Sequence, residues 1–292
     1  MEYSIASFLI RAEGKHNDIA ACGLRSFRPF EVATSQEREP DMILRLDVAL
    51  NEEEYPIAKE ILAFDFENIV ASCNLARYAT GYRYTIYRDD KHYIFIKDDN
   101  SNVVESNIGC EEQIDLSLLR FGLWIMFGIV IAPLGGIAIH SSVNVKDGRA
   151  VLCLGESGTG KSTHTRLWRE HIEGTWMLND DSPIIRMVDG KAVAFGSPWS
   201  GKTHCYISDC APIQGFIRLS QAPYNKIKRL SPLSAIGALL PSCPPAFAYD
   251  NTLQDCICNT LSEMIGCAPV YHLECLPNAE AAQLSYTTLY GE

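Results

Sequence analysis

The sequence predicts an α/β protein, an α/β domain behind a β-rich amino-terminal domain, and three observations predict it. From Met1 to about Gly109 the chain reads as short runs of aromatic and β-branched residues in alternation, the period of half-buried strands. Around Cys110 to Leu119 the charge falls away and a long apolar helical stretch begins. Beyond it, short apolar runs take turns with helical patterns, the rhythm of strands and helices packed in layers. Residues 1–110 are therefore expected to form a β-rich accessory domain and residues 111–292 the α/β domain.

In the first part, TGYRYTIYRDDKHYIFIKDD carries two strand-like runs around Arg88-Asp89-Asp90-Lys91, the pattern of a hairpin with a polar turn. MILRLDVAL and AKEILAFDFE read as further strands. Phe121 to Ile139 contains no charge and matches a bilayer span in length. Pro133, Gly135 and Gly136 would break such a helix, so the reading is a buried helix from about Ile114 to Ile131 and a short strand, Ile137 to Ile139, leading into His140. AVLCLG then forms a buried strand, SGTGKSTHTRLWREHI a helix and TWMLNDD a return strand. PIIRMVDGKAVAF is a hairpin turning at Asp189-Gly190. FAYDNTLQDCICNTLSEMIG is a helix capped by Gly266, PVYHL a strand and NAEAAQLSYTTLY a last helix.

Composition narrows the function. Hydrophobic residues make up 47% of the 292 residues and charged residues 21%, which excludes a disordered chain. With 36 acidic against 25 basic residues the net charge is −11, a field that repels nucleic acid. The eleven cysteines form no CxxC pair and no regular finger spacing, so neither zinc nor a disulfide framework is signalled. MEYSIASFLIRAEGKH lacks the basic and long apolar regions of a secretory signal. The expected location is a reducing cytoplasm, with no membrane partner.

The chemistry is concentrated in Gly155, Glu156, Ser157, Gly158, Thr159, Gly160, Lys161 and Ser162, a complete GxxxxGK[ST] loop between an apolar strand and a helical pattern. Its glycines let backbone N–H groups and the helix amino terminus face an anion. Lys161 would reach the β- and γ-phosphates of a nucleotide, the Ser162 hydroxyl would ligate Mg²⁺, and Thr163 follows in the same turn. Only 18 residues lie between Lys161 and the pair Asp180-Asp181, room for one helix and one return strand. Carboxylates at the end of a strand parallel to the loop strand would complete a metal site with Ser162 and supply a base.

Asn225-Lys226-Ile227-Lys228 lacks the Asp of a guanine motif, and no LSGGQ-like segment of a transporter ATPase is present. GESGTGKST with a close acidic pair resembles the phosphoenolpyruvate carboxykinase-like kinases, and within them the catalytic domain of the bacterial HPr kinase/phosphorylase. There a strand bearing a His precedes the loop, and here His140 lies 15 residues before Gly155. The resemblance covers roughly Gly136 to Leu273. It implies a P-loop kinase domain of the HPr kinase/phosphoenolpyruvate carboxykinase-like type, ATP and Mg²⁺ as cofactors, Asp181 as base with Asp180 in support, and His140 close to the transferred phosphoryl group. From the residues alone, a His after an apolar strand is more often a structural histidine. The Glu-centred segment of HPr kinases is missing; Gly196-Ser197-Pro198-Trp199-Ser200-Gly201-Lys202 stands in its region and resembles the PxSGK loop of shorter HPr-kinase-related proteins. Lys202 would contact phosphate or acceptor, or is a plain exposed lysine. The expected activity is transfer of a γ-phosphoryl group to a serine-type hydroxyl on a peptide, protein or small molecule. A nucleotide-binding regulatory or scaffold protein without transfer is the alternative, and self-association is left open.

Overall fold

The computed structural model describes residues 1–34, 38–66, 70–201 and 203–291. They fall into two compact units, Met1–Leu134 with Ala246–Leu253, and Gly135–Pro245 with Gln254–Glu292.

The first unit holds a nine-stranded sheet of β1 (Glu2–Ile5), β2 (Phe8–Glu13), β3 (Glu31–Val32), β4 (Met42–Arg45), β5 (Lys59–Asp65), β6 (Ser72–Tyr78), β7 (Gly81–Arg88), β8 (Lys91–Asp98) and β9 (Val103–Ser106). Its order is β3-β1-β2-β4-β9-β8-β7-β6-β5. The hairpin β7–β8 closes with Arg88 opposite Lys91 and Asp89 at φ 53°, the left-handed conformation a two-residue turn requires.

Helix α1 (Leu116–Ile131) starts on Asp115, whose carboxylate accepts the N–H groups of Ser117 and Leu118. It packs on β7 and β8, which is why the chain divides after Leu134 and not at residue 110, where the charge falls away. The segment Leu116–Leu134 is long and apolar enough to cross a membrane by length and composition, and its most apolar window is 67% buried within the fold. Gly122 sits at the closest contact, where an added Cβ would stand 2.3 Å from Cζ of Phe95.

The second unit holds β10 (Gly136–Ala138), β11 (Ser141–Lys146), β12 (Arg149–Leu154), β13 (Trp176–Asn179), β14 (Ile184–Val188), β15 (Lys191–Phe195), β16 (Cys210–Gln221), β17 (Lys226–Arg229) and β18 (Val270–Cys275). The order is β10-β14-β15-β16-β12-β11-β13, with β18 added to β16 and β17 to β18. The helices after α1 are α2 (Lys161–His171), α3 (Pro232–Leu239), α4 (Asn251–Cys267) and α5 (Ala279–Tyr290). Val151, Cys153, Ile217, Leu219 and Leu273 on the sheet form one core with Leu167 and Trp168 of α2 and Leu289 of α5.

The hairpin β14–β15 turns at Asp189-Gly190, both at positive φ. Gly266 does not cap its helix: α4 continues through it to Cys267. The central strand β16 is absent from the sequence reading because Pro212 and Gly215 interrupt its apolar pattern. Its start pairs with β15, and its end lies between β12 and β18, parallel to both.

Two glycine-to-alanine changes should act with opposite signs. Gly122→Ala drives a methyl into the Phe95 ring and should destabilise by about 1–3 kcal/mol. Gly237→Ala, in α3 with open space around its Cβ, should stabilise by about 0.5–1 kcal/mol through backbone entropy. Urea unfolding of both variants against the wild type measures each.

Candidate functional site

The loop from Gly155 to Gly160 joins the end of β12 to the start of α2. Gly160 occupies the position before the helix at φ 103°, a conformation costly for any residue with a Cβ. At Gly155, φ 151°, a Cβ would stand 2.5 Å from Oγ1 of Thr159. The loop is tied to itself. Lys161 Nζ donates to the Gly155 carbonyl at 2.7 Å and to the Glu156 carbonyl at 3.2 Å, and Thr159 Oγ1 donates to the Glu156 carbonyl at 2.8 Å. From the end of β16, Gln221 Nε2 donates to the Gly158 carbonyl at 3.0 Å. Ser157 and Ser162 are exposed, and Thr163 is half-buried.

The acidic pair reaches the same sheet edge by another route. Residues of β10 and β11 pair antiparallel with those of β14 and β13, Ala138 against Ile184 and Val143 against Asn179. The register carries through the bend at residues 139–140 and 180–183 and shifts only beyond it, between Val143 and Asn144. Ile139 N–H donates to the Pro183 carbonyl and Ser141 N–H to the Asp181 carbonyl across the bend. His140 is thereby set against Asp181, with Nδ1 3.0 Å from Oδ1. The neighbour of β12 is β11, not β13: the strand carrying the acidic pair runs in the direction of β12 but is one strand removed from it.

The two carboxylates differ in their surroundings. Asp180 is buried; its Oδ1 accepts from Ser142 Oγ at 3.1 Å and its Oδ2 from the Thr203 N–H at 3.3 Å. Asp181 keeps a third of its side chain exposed. Asn179 Oδ1 accepts the N–H groups of both Asp181 and Ser182 at 2.9 Å and so fixes the turn that carries the pair. Asn179 Nδ2 in turn donates to the Trp199 carbonyl, which holds the loop after β15 over this corner.

Lys161 couples the two halves electrostatically. Burial pushes its ammonium group below the usual lysine range; Asp181 and, more weakly, Asp180 act against that shift, while Arg218 adds to it. Arg218, Ser142, Thr203 and Gln221 escaped the sequence reading, since each stands outside any motif; strand pairing brings in Arg218, Ser142 and Gln221, and the loop after β15 brings in Thr203. Lys202 lies outside the described residues. The basic residues Lys226, Lys228 and Arg229 form the exposed edge strand β17.

Among the described residues no three His, Cys, Asp or Glu side chains cluster to hold a metal. The hydroxyl of Ser162 and the carboxylates of Asp180 and Asp181 are hard oxygen donors. Such a set fits Mg²⁺, which is usually held by one or two carboxylates together with substrate phosphates and water.

The chain matches no known protein-family model and no curated protein. Among solved structures it is similar to the HPr(Ser) kinase/phosphatase from Coxiella burnetii, with 12% sequence identity and a TM-score of 0.29 over 51% of this chain and 90% of that one. A similarity at this level assigns no residue a role.

The loop helix is anchored from behind. His164 Nε2 lies 3.1 Å from Ser285 Oγ, and Trp168 Nε1 donates to that oxygen at 2.8 Å, so α5 clamps α2 through a buried polar group. Burial holds the His164 imidazole down at about 4 from its usual 6.5. In the window between those values the unfolded chain binds the extra proton, so stability falls as pH falls. Wild type should lose on the order of 3 kcal/mol across that window beyond what His164→Asn loses. Urea unfolding at a series of pH values compares the two slopes.

Proposed function

We propose that this chain is a nucleotide-dependent phosphotransferase, with Gly155 to Ser162 holding the triphosphate and Asp181 serving an acceptor hydroxyl. The observation that carries the reading is the His140–Asp181 contact at 3.0 Å on the edge where the loop of Lys161 also ends. A phosphate-binding loop alone fits any nucleotide-binding protein. A carboxylate left partly accessible beside it, oriented by an imidazole and within the electrostatic reach of Lys161, is what a hydroxyl acceptor requires.

Each group then has a task. Lys161 exchanges its loop carbonyls for β- and γ-phosphate oxygens. Bound Mg²⁺, held by Ser162 and the acidic pair, would neutralise phosphate charge. Asp181 accepts the proton of the acceptor hydroxyl as its oxygen forms a bond to the γ-phosphorus and the bond to the β–γ bridging oxygen breaks, releasing nucleoside diphosphate. His140 orients Asp181, and Asp180 holds the corner rigid through Ser142 and Thr203. The acceptor is a hydroxyl on a peptide, protein or small molecule. The eleven cysteines, with no CxxC pair among them, fit a reducing compartment such as the cytoplasm.

The test is radiolabelled phosphate transfer onto panels of hydroxyl-bearing peptides and metabolites, with nucleotide binding measured in parallel. Asp181→Asn should keep ATP binding and lose about 10²- to 10⁴-fold in transfer, the worth of a general base. Lys161→Ala should lose binding as well. Transfer undiminished in Asp181→Asn would overturn the assignment, and a wild type that binds ATP but labels no acceptor would favour a regulatory nucleotide-binding protein.

A further inference from the structure

Building on the phosphotransferase reading, we propose that Arg218 is the second cation of the nucleotide site, a phosphate-binding residue that acts beside Lys161. Strand register puts it there. β16 runs parallel to β12 with Arg218 abreast of Leu154, the last strand residue before the loop. Its neighbours Ile217 and Leu219 turn into the core beneath α2 and α5, so alternation along the strand sends Arg218 to the other face.

Two contacts fix the guanidinium. Nη1 donates to the Ala238 carbonyl at 3.1 Å, in the last turn of α3, where the helix dipole favours a cation. Nη2 stands 3.7 Å from Oε1 of Glu156, a residue of the loop itself. Glu156 is 83% exposed, so this pair contributes little to stability. What it marks is reach: the guanidinium arrives at the mouth of the loop while three quarters of the Arg218 side chain stays covered. The same proximity is felt by Lys161, on which the Arg218 charge acts directly.

A chain of net charge −11 that has to take up a polyanion gains most from cations already held in position. The planar fork suits phosphate oxygens better than an ammonium group does. On nucleotide entry Nη2 leaves Glu156 for a phosphate oxygen while Nη1 remains on Ala238, so the exchange costs no buried hydrogen bond.

Calorimetric binding of MgATP and of adenosine to the full chain tests this. Arg218→Gln should weaken MgATP about 10- to 100-fold, the loss expected for one or two charge-assisted hydrogen bonds, and leave adenosine affinity unchanged. Arg218→Lys should lose less than Arg218→Gln, and it carries the test if the glutamine variant fails to fold. Wild-type MgATP affinity in Arg218→Gln, with Lys161→Ala defective, would overturn the proposal and leave the nucleotide reading standing. Wild-type affinity in the double variant Glu156→Gln/Arg218→Gln would also overturn it, since Arg218 would then only offset Glu156. Should Lys161→Ala bind MgATP as well as wild type, the nucleotide reading itself fails and Arg218 falls with it.

Discussion

The candidate site depends on one constraint, an antiparallel ribbon that turns a corner without losing register. Because β11 runs against both β12 and β13, its first residues lie at the edge where those two strands end. A parallel strand of six residues in its place would have begun about 20 Å away, at the opposite edge of the sheet. The corner leaves His140 and Asp181 facing one another, while Asn179 and the loop carrying Trp199 and Thr203 hold the turn from the other side.

Burial then divides the work between two adjacent carboxylates. Asp180 is enclosed, and both of its oxygens accept hydrogen bonds from groups that have no other business with it, a hydroxyl on β11 and a backbone N–H of the loop after β15. A carboxylate so engaged acts as a fixed part of the frame, because freeing its Oδ1 strands the buried Ser142 hydroxyl. Asp181 has the opposite character: one oxygen meets His140, and a third of the side chain reaches solvent. Of the two, only Asp181 can receive a proton from an incoming molecule without dismantling its surroundings.

How much of this was legible in the sequence follows from the range of the interactions involved. Turns are local, so the Asp89 and Asp189-Gly190 hairpins, the loop between β12 and α2, and the break after α1 could all be read from a few residues. The helix Leu116–Ile131 was legible as a helix but not as a member of the first unit, because its packing on β7 and β8 has no local signal. For the same reason β11 was not seen to intervene between the loop strand and the acidic pair. Arg218 was invisible twice over: its strand is disguised by Pro212 and Gly215, and its tie to the loop rests on a register that only the folded sheet sets.

The loop also accommodates the charge of Lys161. The Lys161 ammonium group is half withdrawn from water, a position that penalises its charge unless acceptors replace the lost solvent. The carbonyls of Gly155 and Glu156 supply them. Those carbonyls are dipoles, whereas phosphate oxygens carry charge, so an arriving polyphosphate offers Lys161 the stronger partner. The Glu156 carbonyl also accepts from Thr159 Oγ1 at 2.8 Å, so it keeps a partner without Lys161. On the proposed reading, phosphate oxygens would repay the bond withdrawn from the buried Gly155 carbonyl, and a neutral ligand would not.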